Sequence, residues 1–215
     1  MPLVFSPPDS IYKGNSSLTP ARLRELYGDA SQHAAAKVIS HFDHHCRIFI
    51  EHASFLIFAT SDGTNLDVSP KGDPAGFVKV ETDRTLLIPD RPGNNRIDGL
   101  MNILAHPKVA LLFLIPSVSE TLRVNGTAEV LEERDLCDQF QINGRSPKTV
   151  IRVTADEVFT HCGKAPMRAR LWKPESWPAE RPVATLYEMV RDHSELDVAS
   201  TDQAYTEQRY RETLY

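Results

Sequence analysis

Between residues 55 and 155 the apolar residues fall in short, closely spaced runs rather than at the three-to-four spacing of a helix. No other feature limits the fold so tightly. The first run, FLIFAT at 55–60, is compact and rich in aromatic and branched residues. Asp62-Gly63 then signals a hairpin. The chain returns over 65–69, with Leu66 and Val68 alternating against polar neighbours. A polar loop at 70–74 leads to runs at 76–80 and 85–88, separated by a turn at 81–84. Four strands so close in sequence predict an antiparallel meander. Further runs follow at 109–115, 122–131 and 150–155, and Gly126 inside the second of these marks a bulge or a close backbone approach. Strict alternation of strand and helix is absent, which argues against a doubly wound parallel sheet. The pattern predicts a mainly β fold with flanking helices, either a small antiparallel barrel or an α+β sandwich.

Helical signals lie outside or between these runs. Thr19-Pro20 is a start signal, with Leu23, Leu26 and Tyr27 behind it. A second helix is expected over 31–40, and Asp43 can cap a third that contains Cys46, Phe49 and Ile50. Residues 95–105 read as a helix with Ile97, Leu100, Met101 and Leu104 on one face, capped by Asn94 or Asn95 and ended before Pro107. Residues 132–142 and 182–193 are expected to be helical, the latter built on Val183, Leu186, Tyr187 and Val190. The first 17 residues, rich in Pro, Ser and Gly, predict an irregular arm. The polar, helix-prone end of the chain, DQAYTEQRYRETLY, is either a frayed tail or a contact arm.

A chain of 215 residues is one ordinary domain, or one domain with decorations. The formal charge of −5 offers no field for nucleic acid. The longest apolar run is far too short for a bilayer, which needs about 20 residues. The N-terminus MPLVFSPPDS lacks the basic start of a signal peptide, and three scattered cysteines without a CxxC fit a reducing compartment. The expectation is a cytoplasmic protein with no membrane and no nucleic-acid partner.

The chemistry concentrates between residues 65 and 102. Lys71, Arg91 and Arg96 are cations, and Gly72, Gly76 and Gly93 loosen the backbone. A helix start at Asn94, Asn95 and Arg96 supplies free N–H groups, and a cation there suits a docked phosphate better than it suits the helix dipole. The same arginines read equally as solvated surface charges. No GxxxxGK[ST] and no GxGxxG occurs. His41, His44, His45, Cys46 and His52 cluster locally, but without HExxH they need a further ligand such as Glu51, His106 or His161; partly exposed helix histidines are the plainer reading. Cys162 sits beside His161 and Lys164, although adjacent residues on an extended chain point apart. There is no GxSxG elbow. Thr121 and Arg123 share one face of a strand, opposite Leu122 and Val124, and Arg123 there calls for an acidic partner, either a ligand or Glu129 or Glu132.

Taken in order, ATSDGTNLDVSPKGDPAGFVKV, LLIPDRPGNNRIDGLMNILAHPKVALLFLIP, ETLRVNGTAEVL and HCGKAPMRARLW resemble the pyridoxamine 5′-phosphate oxidase-like, FMN-binding split-barrel family over roughly residues 40–175. They are most similar to its branch of related flavoproteins. The resemblance implies a six-stranded antiparallel split β-barrel and a homodimer with FMN at the subunit interface. It divides the chain into an N-terminal helical arm (1–40), an FMN-binding split-barrel domain (41–175) and a C-terminal helical extension (176–215). It implies that Asp67, Val68, Ser69, Pro70, Lys71 and Gly72 run past the flavin ring and ribityl chain. Ile88, Pro89 and Asp90 then end a strand beside the ring, and Asn94, Asn95 and Arg96 grip the phosphate. Thr121 and Arg123 approach from the partner subunit, and Lys164, Arg168 and Trp172 close over the site. NLDVSPK departs from the corresponding strand of authentic pyridoxamine-phosphate oxidases, and their C-terminal substrate motif is not evident. The cofactor carries over better than the substrate. The implied function is an FMN-dependent oxidoreductase with an unidentified small-molecule electron donor and acceptor. Two alternatives stay open: a flavin-binding or sensing protein without turnover, and a haem-binding relative of the same fold.

Overall fold

The computed structural model describes residues 18–215. The expected irregular arm over 1–17 lies outside the described residues. The chain divides into two units, one ending at Ala36 and one spanning Lys37–Tyr215. In the first, Thr19 caps α1 (Pro20–Tyr27) through a 3.1 Å bond from the Arg22 N–H, as its Thr-Pro start predicts. Helix α2 (Gln32–Ala36) stops four residues short of the expected end, and neither helix buries a residue.

The second unit is mainly β. Its strands are β1 (Phe55–Ser61), β2 (Leu66–Gly72), β3 (Lys79–Val80), β4 (Thr85–Pro89), β5 (Lys108–Leu114), β6 (Thr121–Leu131) and β7 (Val150–His161). All pairings are antiparallel, in one sheet of order β2-β1-β5-β6-β7-β4-β3. The sheet therefore has seven strands, not six. Nor do the first four form a meander. β1 with β2 and β3 with β4 are separate hairpins at opposite edges of the sheet, because the loop between β2 and β3 crosses from one edge to the other. The expected strand over 76–80 shrinks to two residues, since Gly76 takes a left-handed φ of 84° that a strand cannot hold.

A flat sheet with this order would hold β2 and β4 five strand steps apart, about 24 Å at ~4.8 Å per step. Instead, the Lys71 Nζ of β2 lies 2.6 Å from Asp90 Oδ1, just beyond β4. The sheet is therefore curled so that side chains at the end of β2 reach the segment leaving β4, with no ladder joining the two strands. Inward residues from both sides fill one core: Leu56 and Phe58 of β1, Leu86 and Ile88 of β4, Leu111 and Phe113 of β5, and Ile151 and Val153 of β7. Each such side chain contributes about 1.5–3 kcal/mol relative to exposure.

Helices close the core. Asp43 caps α3 (His44–His52) with a 2.8 Å bond from the Cys46 N–H, and Cys46 and Ile50 face inward. Helix α4 (Asp98–Ala105) sends Ile103 into the same core. Helix α5 (Arg134–Asp138) is much shorter than expected; its Cys137 packs with Leu87, Phe140 and Val150 on the outer face of the sheet. Beyond β7 come α6 (Lys164–Arg168), α7 (Leu186–His193) and α8 (Gln203–Glu212). Helix α7 starts later than the expected Pro182 because Thr185 and Glu188 form a capping box.

Strand β7 runs six residues past the expected end, and the reason is the bulge at Gly126. The register between β6 and β7 shifts between Asn125 and Gly126, which returns Val158 to the core and continues the ladder. A Cβ at Gly126 would sit 2.0 Å from the Thr154 carbonyl oxygen. Gly126→Ala is expected to destabilise the fold by at least ~2 kcal/mol, a fall of ~4–8 °C in Tm by differential scanning calorimetry.

Candidate functional site

The curl leaves a cleft where β2 and the segment after β4 converge. Its volume is about 1470 Å3, above the ~300–1,000 Å3 of an ordinary small-molecule site. Three segments form most of its wall: Asp67 and residues 69–73 of β2 and the following loop, residues 89–100 between β4 and α4, and residues 145–149 before β7. A fourth segment, residues 213–215, comes from beyond α8.

The approach to α4 departs from expectation. Asn95 (φ 58°) and Ile97 (φ 51°) are both left-handed, and Gly93 is not. A residue in that region cannot belong to an α-helix, so the helix begins at Asp98 and not at Asn95. Left-handed backbone is a genuine outlier for a β-branched residue such as Ile97. Outliers of this kind cluster at functional sites. Ile97 occupies the cap position and no side chain caps the helix, so its first N–H groups are left for water or a ligand. Asn94 accepts from the Arg96 N–H at 3.1 Å, and Arg96 pairs with Asp98 at 2.7 Å while remaining mostly exposed. Asp67 lies beside this helix start: a Cβ at Gly99 would sit 3.1 Å from its Oδ2. Thr60, which is buried, accepts from Asn102 at 3.1 Å and ties α4 to β1.

Two ion pairs span the cleft: Lys71 with Asp90 at 2.6 Å and Arg91 with Asp73 at 2.5 Å. The Asp73 side chain is 2% exposed and Arg91 15%. Arg91 also donates to the Phe140 carbonyl at 2.8 Å, and the Tyr215 hydroxyl donates to the second Asp73 oxygen at 2.7 Å. That bond to Asp73 pushes the Tyr215 hydroxyl pKa up, with burial and the Asp73 charge adding to it.

The structure brings Asp67, Ser69, Pro70, Lys71, Gly72, Pro89, Asp90, Asn94, Asn95 and Arg96 together around this cleft. Val68 points away and is exposed, as the alternation of β2 requires, and Ile88 is wholly buried in the core. Thr121, Arg123, Lys164, Arg168 and Trp172 lie outside the cleft of their own chain. Arg123 shares the outer face of β6 with Thr121; it donates to Asn125 at 3.0 Å and lies 5.3 Å from the Phe159 ring centroid, with neither Glu129 nor Glu132 as partner. Glu129 pairs with Arg152 instead. Trp172 Nε1 donates to the Val118 carbonyl at 2.8 Å. Sequence reasoning missed Asp73, Arg145, Lys148 and Tyr215. The close cations of NGRSPK and the aromatic ending of a polar helix were the available signals.

Among the described residues no group of three or more His, Cys, Asp or Glu is placed to hold a metal ion. Burial, with Asp43 adding to it, pushes the Cys46 thiol up to about 12, which disfavours the thiolate a ligand must supply. Cys162 is exposed. His161 is held below 6.5 by burial first, then by the Lys37 and Arg123 charges.

A curled antiparallel sheet thus sets a cleft lined by five cations beside an uncapped helix start. The pyridoxamine 5′-phosphate oxidase family model matches residues 42–162, more than half of the chain, and the protein belongs to that family. No curated protein matches the chain. Among solved structures it is similar to HupZ of Group A Streptococcus, with 21% identity, 55% of this chain and 92% of that chain covered, and a TM-score of 0.44. General Stress Protein 26 of Bacillus anthracis gives 16% identity, 53% and 88% coverage, and a TM-score of 0.41. An FMN-binding protein of Syntrophomonas wolfei gives 14% identity, 54% and 83% coverage, and a TM-score of 0.42. Likenesses this distant add no weight; the family assignment rests on residues 42–162.

Two outcomes are expected. Arg91→Ala leaves Asp73 buried without its counter-charge and costs about 3–5 kcal/mol, read as a fall of ~6–20 °C in Tm. His161 has a folded pKa below its unfolded value, so the unfolded chain binds the proton more readily. Stability from this residue is full above the unfolded value of 6.5 and is lost as pH falls through the gap below it. His161→Gln should flatten that part of the stability profile in urea titrations between about pH 5 and 7.

Proposed function

We propose that the protein is an FMN-binding flavoprotein on a split β-barrel, and that it acts as an oxidoreductase on a small molecule. The observation that carries this reading is the convergence, in a member of the pyridoxamine 5′-phosphate oxidase family, of the β2 end and the strained approach to α4 on one cleft. The residues present fit the group. The uncapped start of α4 and the exposed Arg96 offer N–H groups and a cation to a phosphate. Asp67, residues 69–72 and Pro89–Asp90 wall the space alongside it. Lys71 supplies positive charge in that wall and is oriented by Asp90. When bound, the flavin supplies hydride and electron transfer, and the chain supplies binding, orientation and charge.

A homodimer belongs to the same reading. The outer face of β1, β5 and β6 carries Phe55, Ile57, Leu112 and Leu114 in adjacent rows, with Thr121 and Arg123 beside them. A second copy set against this apolar face covers it and carries Thr121 and Arg123 towards the other chain's cleft. The three free cysteines suit a reducing cytoplasm. Among the described residues no helix is long and apolar enough to cross a membrane.

The purified protein is expected to show flavin absorbance bands, or to quench the fluorescence of added FMN, while sedimenting as a dimer. Arg96→Ala is expected to weaken FMN uptake at least ~10-fold, the loss of one charge-assisted contact. A protein that neither carries nor takes up FMN overturns the reading. Continued oxidation of NAD(P)H with added acceptors separates an oxidoreductase from a flavin binder without turnover.

A further inference from the structure

Five cations line the cleft: Lys71, Arg91, Arg96, Arg145 and Lys148. The first three are each paired with a carboxylate, Asp90, Asp73 and Asp98 respectively. Among the described residues neither Arg145 nor Lys148 is paired with an aspartate or glutamate. The end of the cleft before β7 therefore keeps positive charge that no aspartate or glutamate among the described residues neutralises. The tip of the C-terminal segment sits at that end. The Tyr215 main-chain oxygen accepts from Arg145, and the Tyr215 hydroxyl donates to Asp73 at 2.7 Å.

The way this segment is held decides what it can do. Leu214 is 58% exposed, and Thr206 is the only residue of α8 that is buried. The tip is held by these two polar contacts and by the Arg91 guanidinium, 5.7 Å from the Tyr215 ring centroid, while Leu214 beside it stays exposed; elements with so little buried apolar surface open at low free-energy cost. Arg91 is committed to two fixed acceptors, Asp73 and the Phe140 carbonyl, whereas the guanidinium of Arg145 is held by the strap itself.

We propose that residues 213–215 are a strap, latched on Asp73 and Arg145, that closes this end of the cleft and gives way to an anionic group, carboxylate or phosphate, of an incoming ligand. The strap and that anion compete for the same guanidinium. Each therefore weakens the other by an equal factor. The ligand that opens the strap is set by charge at Arg145 and Lys148, away from the Arg96 end of the cleft. The strap is the substrate gate of the flavin site, and in that sense it rests on the flavin reading; the latch does not.

Hydrogen exchange across residues 203–215 of the full-length protein tests the latch, with inorganic phosphate as the probe. In the wild type, phosphate is expected to speed exchange there. Tyr215→Phe keeps the ring and removes the hydroxyl contact, and should speed exchange about 10-fold without phosphate. Arg145→Gln should speed exchange and abolish the response to phosphate, whereas Arg96→Ala should leave that response intact. Exchange that is indifferent to phosphate and to both strap variants overturns the strap. A response to phosphate that survives Arg145→Gln overturns it equally. FMN uptake is scored separately: a strap that responds in a protein unable to take up FMN upholds the latch and sinks the flavin reading. The reverse result sinks the latch alone.

Discussion

Everything at the site depends on ion pairs that reach between two sides of the sheet that the hydrogen-bond ladder keeps five steps apart. Lys71 with Asp90, and Arg91 with Asp73, join the edge strand β2 to the segment leaving β4. These ion pairs do not drive the curl. Desolvating Asp73 costs several kcal/mol, and its pairing largely offsets that cost without exceeding it. The driving force is the apolar core, to which β1, β4, β5, β6 and β7 all contribute inward side chains. The ion pairs decide where the two sides touch, because a buried carboxylate without its partner is too costly to tolerate.

The bulge at Gly126 belongs to the same geometry. It bends β6 against β7 and lets a strand of 12 residues stay in register on both sides of the shift. On both sides of the shift alternate residues face the core, Leu122, Val124 and Val158 before it and Ala128, Val153 and Ala155 after it, while Arg123 and Phe159 face outward. One glycine thus links the closing of the sheet to the placing of the outer surface. The cleft is what remains where curling brings strand ends together without completing a ladder. Its wall includes left-handed backbone at Asn95 and Ile97, a conformation that packing alone does not reward.

The C-terminal extension is more than a solvated appendage. Helix α7 is anchored through the buried Thr185, whose hydroxyl donates to the Thr201 carbonyl at 2.8 Å. Helix α8 is otherwise polar, and it delivers Tyr215 to Asp73. A segment held by its tip is suited to exchange places with a ligand, which a segment buried along its length is not.

The short, closely spaced apolar runs between 55 and 155, alternating in places, were enough to expect a mainly β, antiparallel fold, and the glycine in the sixth run was enough to expect a bulge or a close backbone approach. Alternation is a local property, fixed by which face of a strand each side chain takes. The stretch around Lys71, Pro89 and Arg96 was also legible, because cations and turn residues concentrate there. Strand order was not legible. Sequence proximity suggested a meander, yet β2 and β3 lie at opposite edges, since pairing is decided by the total burial of seven strands and not by loop length. The true start of α4 was hidden, because an isoleucine in left-handed backbone contradicts its own preference. Nothing in a polar tail signals that its last tyrosine reaches Asp73, 142 residues earlier in the chain. A contact at that separation exists only because the curled sheet creates a cleft for it to enter, and that cleft is a property of the tertiary structure alone.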